Sequence, residues 1–217
     1  MNNLVIFGGG GVGKFVAHAI NEINKKVYTW NILGYIDDDD QIDETNLNGY
    51  PLLGNISWLR ENPVVTVAVA IAEPTVKVQV IEKIIEYGCE KFATIIHPHT
   101  WIAESVKVGK GSIIYPGTTI NVNTEIGRFA IVNMNCSIGH DVEINDYTFL
   151  APNVGIGGNT HVSKGCVIGI GASLKQSLMI GEWAVVGAGS VVIRDVEQGQ
   201  TVAGVPAKPL QSEKLKK

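Results

Sequence analysis

The chain has 217 residues, 45% hydrophobic and 18% charged, with a formal net charge of -4. That balance describes ordinary globular material, excludes wholesale disorder and a general nucleic-acid surface, and leaves room for one large domain or two small ones. Cys89, Cys136 and Cys166 are an odd, scattered set, which excludes a disulfide framework or a zinc site and fits a reducing compartment.

The opening MNNLVIFGGGG lacks the basic n-region of a signal peptide. No apolar run approaches the roughly 18 residues that span a bilayer. The expectation is a cytoplasmic protein with no membrane insertion and no nucleic-acid partner. Leu4 to Phe7 reads as a buried strand. It runs into Gly8, Gly9, Gly10 and Gly11, then Val12, Gly13 and Lys14, and a helical pattern from Phe15 to Ile23. Strand, glycine turn and helix in that order cradle phosphate on the helix N-terminus. The alternative is that the glycines only permit close helix–strand packing. The spacing Gly8-x-Gly10-x-x-Gly13 also meets the dinucleotide fingerprint, and an NAD-dependent enzyme rests on that spacing alone.

Ile32 to Ile36 reads as a second strand, ending in Asp37, Asp38, Asp39 and Asp40. The run as a whole suits a solvated turn. Asp37 and Asp38, at the strand end, are placed to meet a ribose or a base. Val64 to Ile71 reads as a third strand, Val76 to Tyr87 as a helix, and Ala93 to Ile96 as a short strand leading to His97-Pro98. Residues 1–96 thus read as a small α/β, Rossmann-like domain sized for one nucleotide.

Residues 97–217 read as a second domain, governed by a period of six from Ile102 to Val192. Stepping from Ile102 to Val192 by six meets Ile, Leu or Val at every position, although those types make up only 63 of the 217 residues. Chance would produce such a frame with a probability on the order of 10⁻⁹. The residue after each step is often Gly or Asn, as at Gly109, Gly127, Asn133, Gly139 and Gly157, which suits corners with positive φ. Two residues before each step the side chain is often small, as at Ser112, Thr118, Ala130, Cys136 and Cys166, and fills a narrow prism. Short strands with a turn every six residues fit this pattern; the irregular spacing of a β-sandwich does not. Sixteen uninterrupted hexads make about five coils. The tail from Lys208 to Lys217 reads as a solvated end.

Of five histidines, His18 reads as structural, His97 and His99 as turn residues around Pro98, and His161 as a surface residue. His140 differs, because Asn133, Asn135 and Asp141 surround it. An imidazole beside a carboxylate is either a general base or a satisfied structural pair, and the residues alone leave both open. Cys136 and Cys166 fall on inward positions, where thiols are inert. No residue reads as a metal ligand.

The chain resembles the bacterial hexapeptide-repeat nucleotide-sugar acetyltransferases, the group of sialic acid O-acetyltransferases and 4-amino-sugar N-acetyltransferases. The likeness rests on Ile6 to Gly11, Tyr35-Ile36-Asp37-Asp38, Ile96-His97-Pro98, Ser137-Ile138-Gly139-His140-Asp141 and Ala203-Gly204-Val205-Pro206-Ala207-Lys208. The resemblance implies a left-handed parallel β-helix, acetyl-CoA as co-substrate without a metal, a homotrimer with sites between neighbouring helices, and a role in surface-glycan synthesis. It implies that His140 is the base, Asp141 its orienter, and Asn133 an acceptor-placing residue. It further implies that the Gly158 amide polarises the thioester, that Ile170 and Ala188 line the pantetheine arm, and that Lys208 meets a CoA phosphate. Several relatives carry a second histidine where this chain has Phe149. The acceptor implied is the 4-amine of a nucleotide-linked sugar. The alternatives are O-acetylation of sialic acid and a non-catalytic trimeric nucleotide-binding scaffold.

Overall fold

The computed structural model describes residues 2–42 and 47–210; residues 211–217 of the tail read as a solvated end lie outside them. The run Leu4–Phe7 sits at the centre of a three-stranded parallel sheet. There β1 (Asn2–Phe7) lies between β2 (Trp30–Ile36) and β3 (Thr66–Val69). Both faces of β1 are covered, which is why its sequence is a continuous apolar run rather than an alternation. Leu4 and Ile6 pack with Val16, Ala17 and Ile20 of α1 (Gly11–Lys26). Val5 and Phe7 pack with Ile81 and Ile84 of α2 (Pro74–Glu86). The first helix opens at Gly11, four residues before the apolar pattern announces it, so Gly11 and Gly13 are helical.

Two edge segments escaped the sequence pattern. Tyr35 donates to the Pro51 carbonyl (2.9 Å) and accepts from Leu53 N–H (2.8 Å), adding residues 51–53 beside β2. On the other side Val67 bridges Phe92. The strand expected over Ala93–Ile96 is divided between two structures: the Ala93 N–H donates to the Val67 carbonyl of the α/β sheet (2.9 Å), while Ile95–Ile96 pairs with Ile113–Ile114 in the repeat region.

From Ile95 onward the hexads coil into three parallel sheets, with each strand pairing with the strand 18 residues on, as Ile114 does with Val132 and Ile138 with Ile156. The first face runs from Ile95–Ile96 through Val185–Val186 to Thr201–Gly204, where Ala207–Pro209 closes it antiparallel. The second runs from Trp101–Ile102 to Val191–Val192, and the third from Lys107–Val108 to Met179–Ile180. Seven parallel rungs on the first face make six coils rather than five, because the ladder opens one hexad before Ile102 and continues past Val192. The register is unbroken to Val192; then Ile180 meets Val196 and Val186 meets Val202, a coil two residues short.

The small inward positions are buried, and their polarity is used. Ser112, Thr118, Thr124 and Cys136 each donate across the coil, to the carbonyls of Gly127, Asn133, Gly139 and Ala151. Burial pushes the Cys136 and Cys166 thiols up to about 11.

The glycines after each apolar step do not supply positive φ. That conformation falls two residues later, at Gly111, Gly117, Asn123, Phe129, Asn135, Asp141 and onward every six. The earlier glycines answer a different demand. A Cβ on Gly109 would stand 2.5 Å from the Gly127 backbone, and one on Gly157 2.5 Å from Gln176 N. They let one coil lie on the next.

The α/β unit packs on the outside of the first face. Outward-pointing Ile95, Ile113 and Ile131 share a core with α1, and Phe15 stacks on Tyr115 at 3.5 Å. Beside α2, fully buried Lys77 donates from Nζ to the Phe129 carbonyl (3.0 Å). Burial drops its ammonium to about 7. The third face, by contrast, points Lys107, Glu125 and Glu143 into solvent, with His161 half-buried among them.

Candidate active site

Every coil passes from its second face to its third through four residues. Between Ser137–Ile138 and Glu143–Ile144 these are Gly139, His140, Asp141 and Val142. Gly139 lies flat on the next coil, where a Cβ would meet Gly158 N at 2.6 Å. Asp141 takes the left-handed backbone (φ 54°) that closes the corner, a conformation Asp tolerates better than most side chains. The corner leaves half of the His140 side chain exposed.

His140 Nδ1 stands 2.6 Å from Asp141 Oδ2. With the proton on Nδ1, that contact leaves Nε2 as the basic nitrogen. Asp141 Oδ1 accepts from Asn123 Nδ2 at 3.1 Å, one coil earlier. The hydrogen bond from His140 first, and that from Asn123 second, hold the Asp141 carboxyl below the usual carboxylate range. One coil later is Gly158. A Cβ there would stand 2.8 Å from His140 Cε1 and Nε2, so the ring lies across the glycine. Among the described residues, neither His140 Nε2 nor the Gly158 N–H has a hydrogen-bond partner.

His161, read as a surface residue, is a second imidazole–carboxylate pair. Its Nδ1 is 2.8 Å from Glu143 Oε2, and its Nε2 is 3.2 Å from Asn145 Nδ2. Both ring nitrogens are engaged. His97 is buried, accepts from the His99 N–H at Nδ1 (3.1 Å), and is held below its ordinary pKa by burial and then by His99.

The remaining sequence-derived residues fall in three other places. Asn133, Ile170 and Ala188 line the corner between the first and second faces, one face away from His140. Asn133 Oδ1 accepts the Met134 N–H there, and Ile170 is exposed. Phe149, on the first face, packs against the core shared with α1. Lys208, in the terminal hairpin, lines a cavity of about 360 Å³ with Arg194, Glu197 and Gln200. Arg194 stands in the column of His140 and Gly158, two coils beyond the glycine.

The glycine loop occupies the C-terminal end of the parallel sheet, where α/β folds place their ligands. Gly10 caps α1 without any side-chain hydrogen bond, and no acidic residue lies in the first turn. Side chains on Gly10 or Gly11 would project into open space. Gly8 and Gly9 are spatially required instead: Gly8 has φ 105° beside the Ala70 carbonyl, and Gly9 faces Ile42. Gly13 is the packing glycine, set against the Gly8 carbonyl. Asp37 and Asp38 serve the loops. Asp37 accepts from Gly9 N–H (2.7 Å) and Asp39 N–H (2.9 Å), and Asp38 from Ile56 N–H (2.8 Å). Among the described residues no cluster of three His, Cys, Asp or Glu side chains is arranged to share a metal ion, and no helix is long and apolar enough to cross a membrane.

Two family models match this chain: the PglD N-terminal domain over residues 3–84, and the bacterial transferase hexapeptide repeat over residues 123–158. The search of curated proteins finds no match. Among solved structures, WeeI from Acinetobacter baumannii is 31% identical over 97% of this chain and 100% of its own, with a TM-score of 0.85. The chain belongs to the hexapeptide-repeat nucleotide-sugar acetyltransferase family. A second similar structure is PerB from Caulobacter crescentus, in complex with CoA and GDP-perosamine. It is 28% identical over 97% of this chain and 98% of its own, with a TM-score of 0.87. The acetyltransferase domain of PglB from Neisseria gonorrhoeae, in complex with acetyl coenzyme A, is 28% identical over 97% and 100%, with a TM-score of 0.85.

Family membership directs attention to what the motifs left out. Asn123 escaped notice because it is 18 residues from its partner Asp141 in sequence and belongs to no motif. The signal that finds it is the 18-residue stacking distance to Asp141. Arg194 emerges from the adjacent column, that of His140 and Gly158.

Proposed function

We propose that the protein is an acetyl-CoA-dependent N-acetyltransferase acting on the 4-amino group of a nucleotide-linked sugar, with His140 as general base. The observation that carries the mechanism is the Nε2 of His140, without a hydrogen-bond partner among the described residues and lying over Gly158. The neutral amine attacks the thioester carbonyl carbon. The carbon–nitrogen bond forms as Nε2 takes the amine proton, and Asp141 stabilises the imidazolium. The Gly158 N–H meets the oxyanion. As the carbon–sulfur bond breaks, the imidazolium returns its proton to the departing thiolate, giving CoA and the amide. No covalent enzyme intermediate forms, in keeping with the raised thiol pKa values of Cys136 and Cys166.

The free loop at Gly10 and Gly11, opening α1, supports binding of the nucleotide phosphates. A homotrimer accounts for the separation of the site residues. His140, Asp141 and Gly158 occupy one corner of the prism, and Asn133, Ile170 and Ala188 another. A head-to-tail contact that closes as a ring of three sets the second corner of one copy against the first corner of the next. The second face between them suits such a contact, because its outward residues Thr119, Ser137, Gly155 and Ser173 are small and uncharged. Lys208, with Arg194 nearby, supplies positive charge for the CoA phosphates.

Incubation with acetyl-CoA and UDP-, dTDP- and GDP-linked 4-amino sugars tests the proposal. Thiol release with one of them, and amide formation at C4 by mass spectrometry, is the expected result. Release with free sialic acid and with no amino sugar overturns it.

A further inference from the structure

The corner column that holds Asp141 runs through Ser105, Asn123, Asp141, Asn159 and Ser177, one residue per coil. Asn123, Asp141 and Asn159 all have left-handed backbones, with φ 58°, 54° and 57°. The backbone conformation therefore explains a short polar residue at each position, but it does not explain the side-chain bond between two of them. Asn123 Nδ2 donates to Asp141 Oδ1 at 3.1 Å, on the oxygen that His140 does not use. Asn123 is itself fixed, since its N–H donates to Ser105 Oγ at 2.9 Å. The carboxylate is thus gripped at both oxygens, by the imidazole from its own coil and by an amide from the coil before.

We infer that Asn123 is a positioning residue for the reaction, acting through Asp141 to fix the orientation and tautomer of His140. The inference rests on the reading of His140 as the base. The grip matters because the pair is half exposed. An unrestrained aspartate there rotates about its side-chain torsions and releases Nδ1, and a base that has lost its orienter samples both tautomers and several ring positions. A donor on the second oxygen removes that freedom without adding charge. The flanking column residues Ser105 and Asn159 are neutral, and His140 is the one charge-bearing side chain that shifts Asp141. The Asn123 side chain bonds Asp141 and not His140, so its contribution is expected on the base and not on substrate affinity.

Two substitutions separate this role from a structural one, because both residues accept left-handed backbone. Asn123→Gly deletes the donor. It is expected to lower kcat about tenfold with KM values unchanged, the size typical of a lost orienting contact. Asn123→Asp keeps the shape but sets a second carboxylate against Asp141. Two anions beside the ring favour the imidazolium, so the acid limb of the pH–rate profile moves up by about one pH unit. The His140 resonance in an NMR titration of the substrate-free protein moves the same way, and thermal melting reports folding. The inference is overturned if both variants melt as wild type, keep kcat within twofold, and leave the His140 titration midpoint in place. Should His140→Ala keep full activity, the base assignment fails instead, and the NMR midpoint still reports whether Asn123 governs the pair.

Discussion

The same third of the prism carries two imidazole–carboxylate pairs, one coil apart, and their contact distances are nearly equal. His140 meets Asp141 at 2.6 Å, and His161 meets Glu143 at 2.8 Å. The difference lies on the far side of each ring. His161 Nε2 faces the Asn145 amide, whereas His140 Nε2 lies over a glycine with no partner among the described residues. Backbone origin differs too: His161 starts a strand, while His140 occupies a corner where the adjacent coil has no side chain. An imidazole–carboxylate contact therefore marks a base only when the opposite nitrogen is left available.

The sharpest break of this comparison replaces each histidine. His140→Ala is expected to lower kcat roughly 10²–10⁴-fold, while His161→Ala leaves turnover within about threefold, since an exposed pair contributes little. Steady-state kinetics of the two variants side by side decides it; equal losses would remove the distinction. Next in size is Gly158→Ala. Its methyl would enter the space of the His140 ring, and a displacement of that kind costs about 10²-fold in kcat, while the melting temperature reports whether the fold is kept. The carboxylates sharpen the contrast further. Asp141→Asn is expected to reduce kcat about tenfold or more and, by removing the anion that favours imidazolium, to shift the acid limb of the pH–rate profile downward. Glu143→Gln should leave that limb unmoved.

The smallest effect belongs to a titrating group outside both pairs. Lys77 is neutral in the folded protein above about pH 7 but protonated in the unfolded chain up to its ordinary value of 10.5. Unfolding between those limits takes up a proton, so stability contributed by this residue rises with pH across that window and its cost is fully present below it. Lys77→Met should flatten the rise, raising the melting temperature most near pH 6 and least near pH 10, with no change in kcat.

Much of this architecture is legible in sequence, for a simple reason. In a coil of fixed length the inward position recurs at fixed spacing, so Ile114, Ile120 and their successors announce the prism directly. The glycines mislead because two physical demands favour the same residue. Gly109 and Gly127 suggest left-handed turns, yet they exist for coil-on-coil contact, and the turns fall on Gly111 and Phe129. The division of Ala93–Ile96 is hidden because both neighbours want the same β-branched, apolar residues. At the site, His140 and Gly158 follow from an 18-residue step. Asp37 and Asp38 stand out by charge, but their loop hydrogen bonds depend on where Gly9 and Ile56 arrive, which no local pattern encodes. Asn123 lies in no motif and emerges only through the 18-residue step to Asp141.

Because one coil advances by three hexads, the prism behaves as a ratchet with three stops. Removing a single hexad between His140 and Gly158 would leave every core position apolar and every ladder pairable, yet it would carry the glycine a third of a turn away from the ring. Hydrophobic periodicity alone cannot detect such a change, and neither can a stability assay. Between His140 and Gly158 any change of length, a whole hexad included, parts the ring from its glycine, so this corner constrains length more strictly than the fold that bears it.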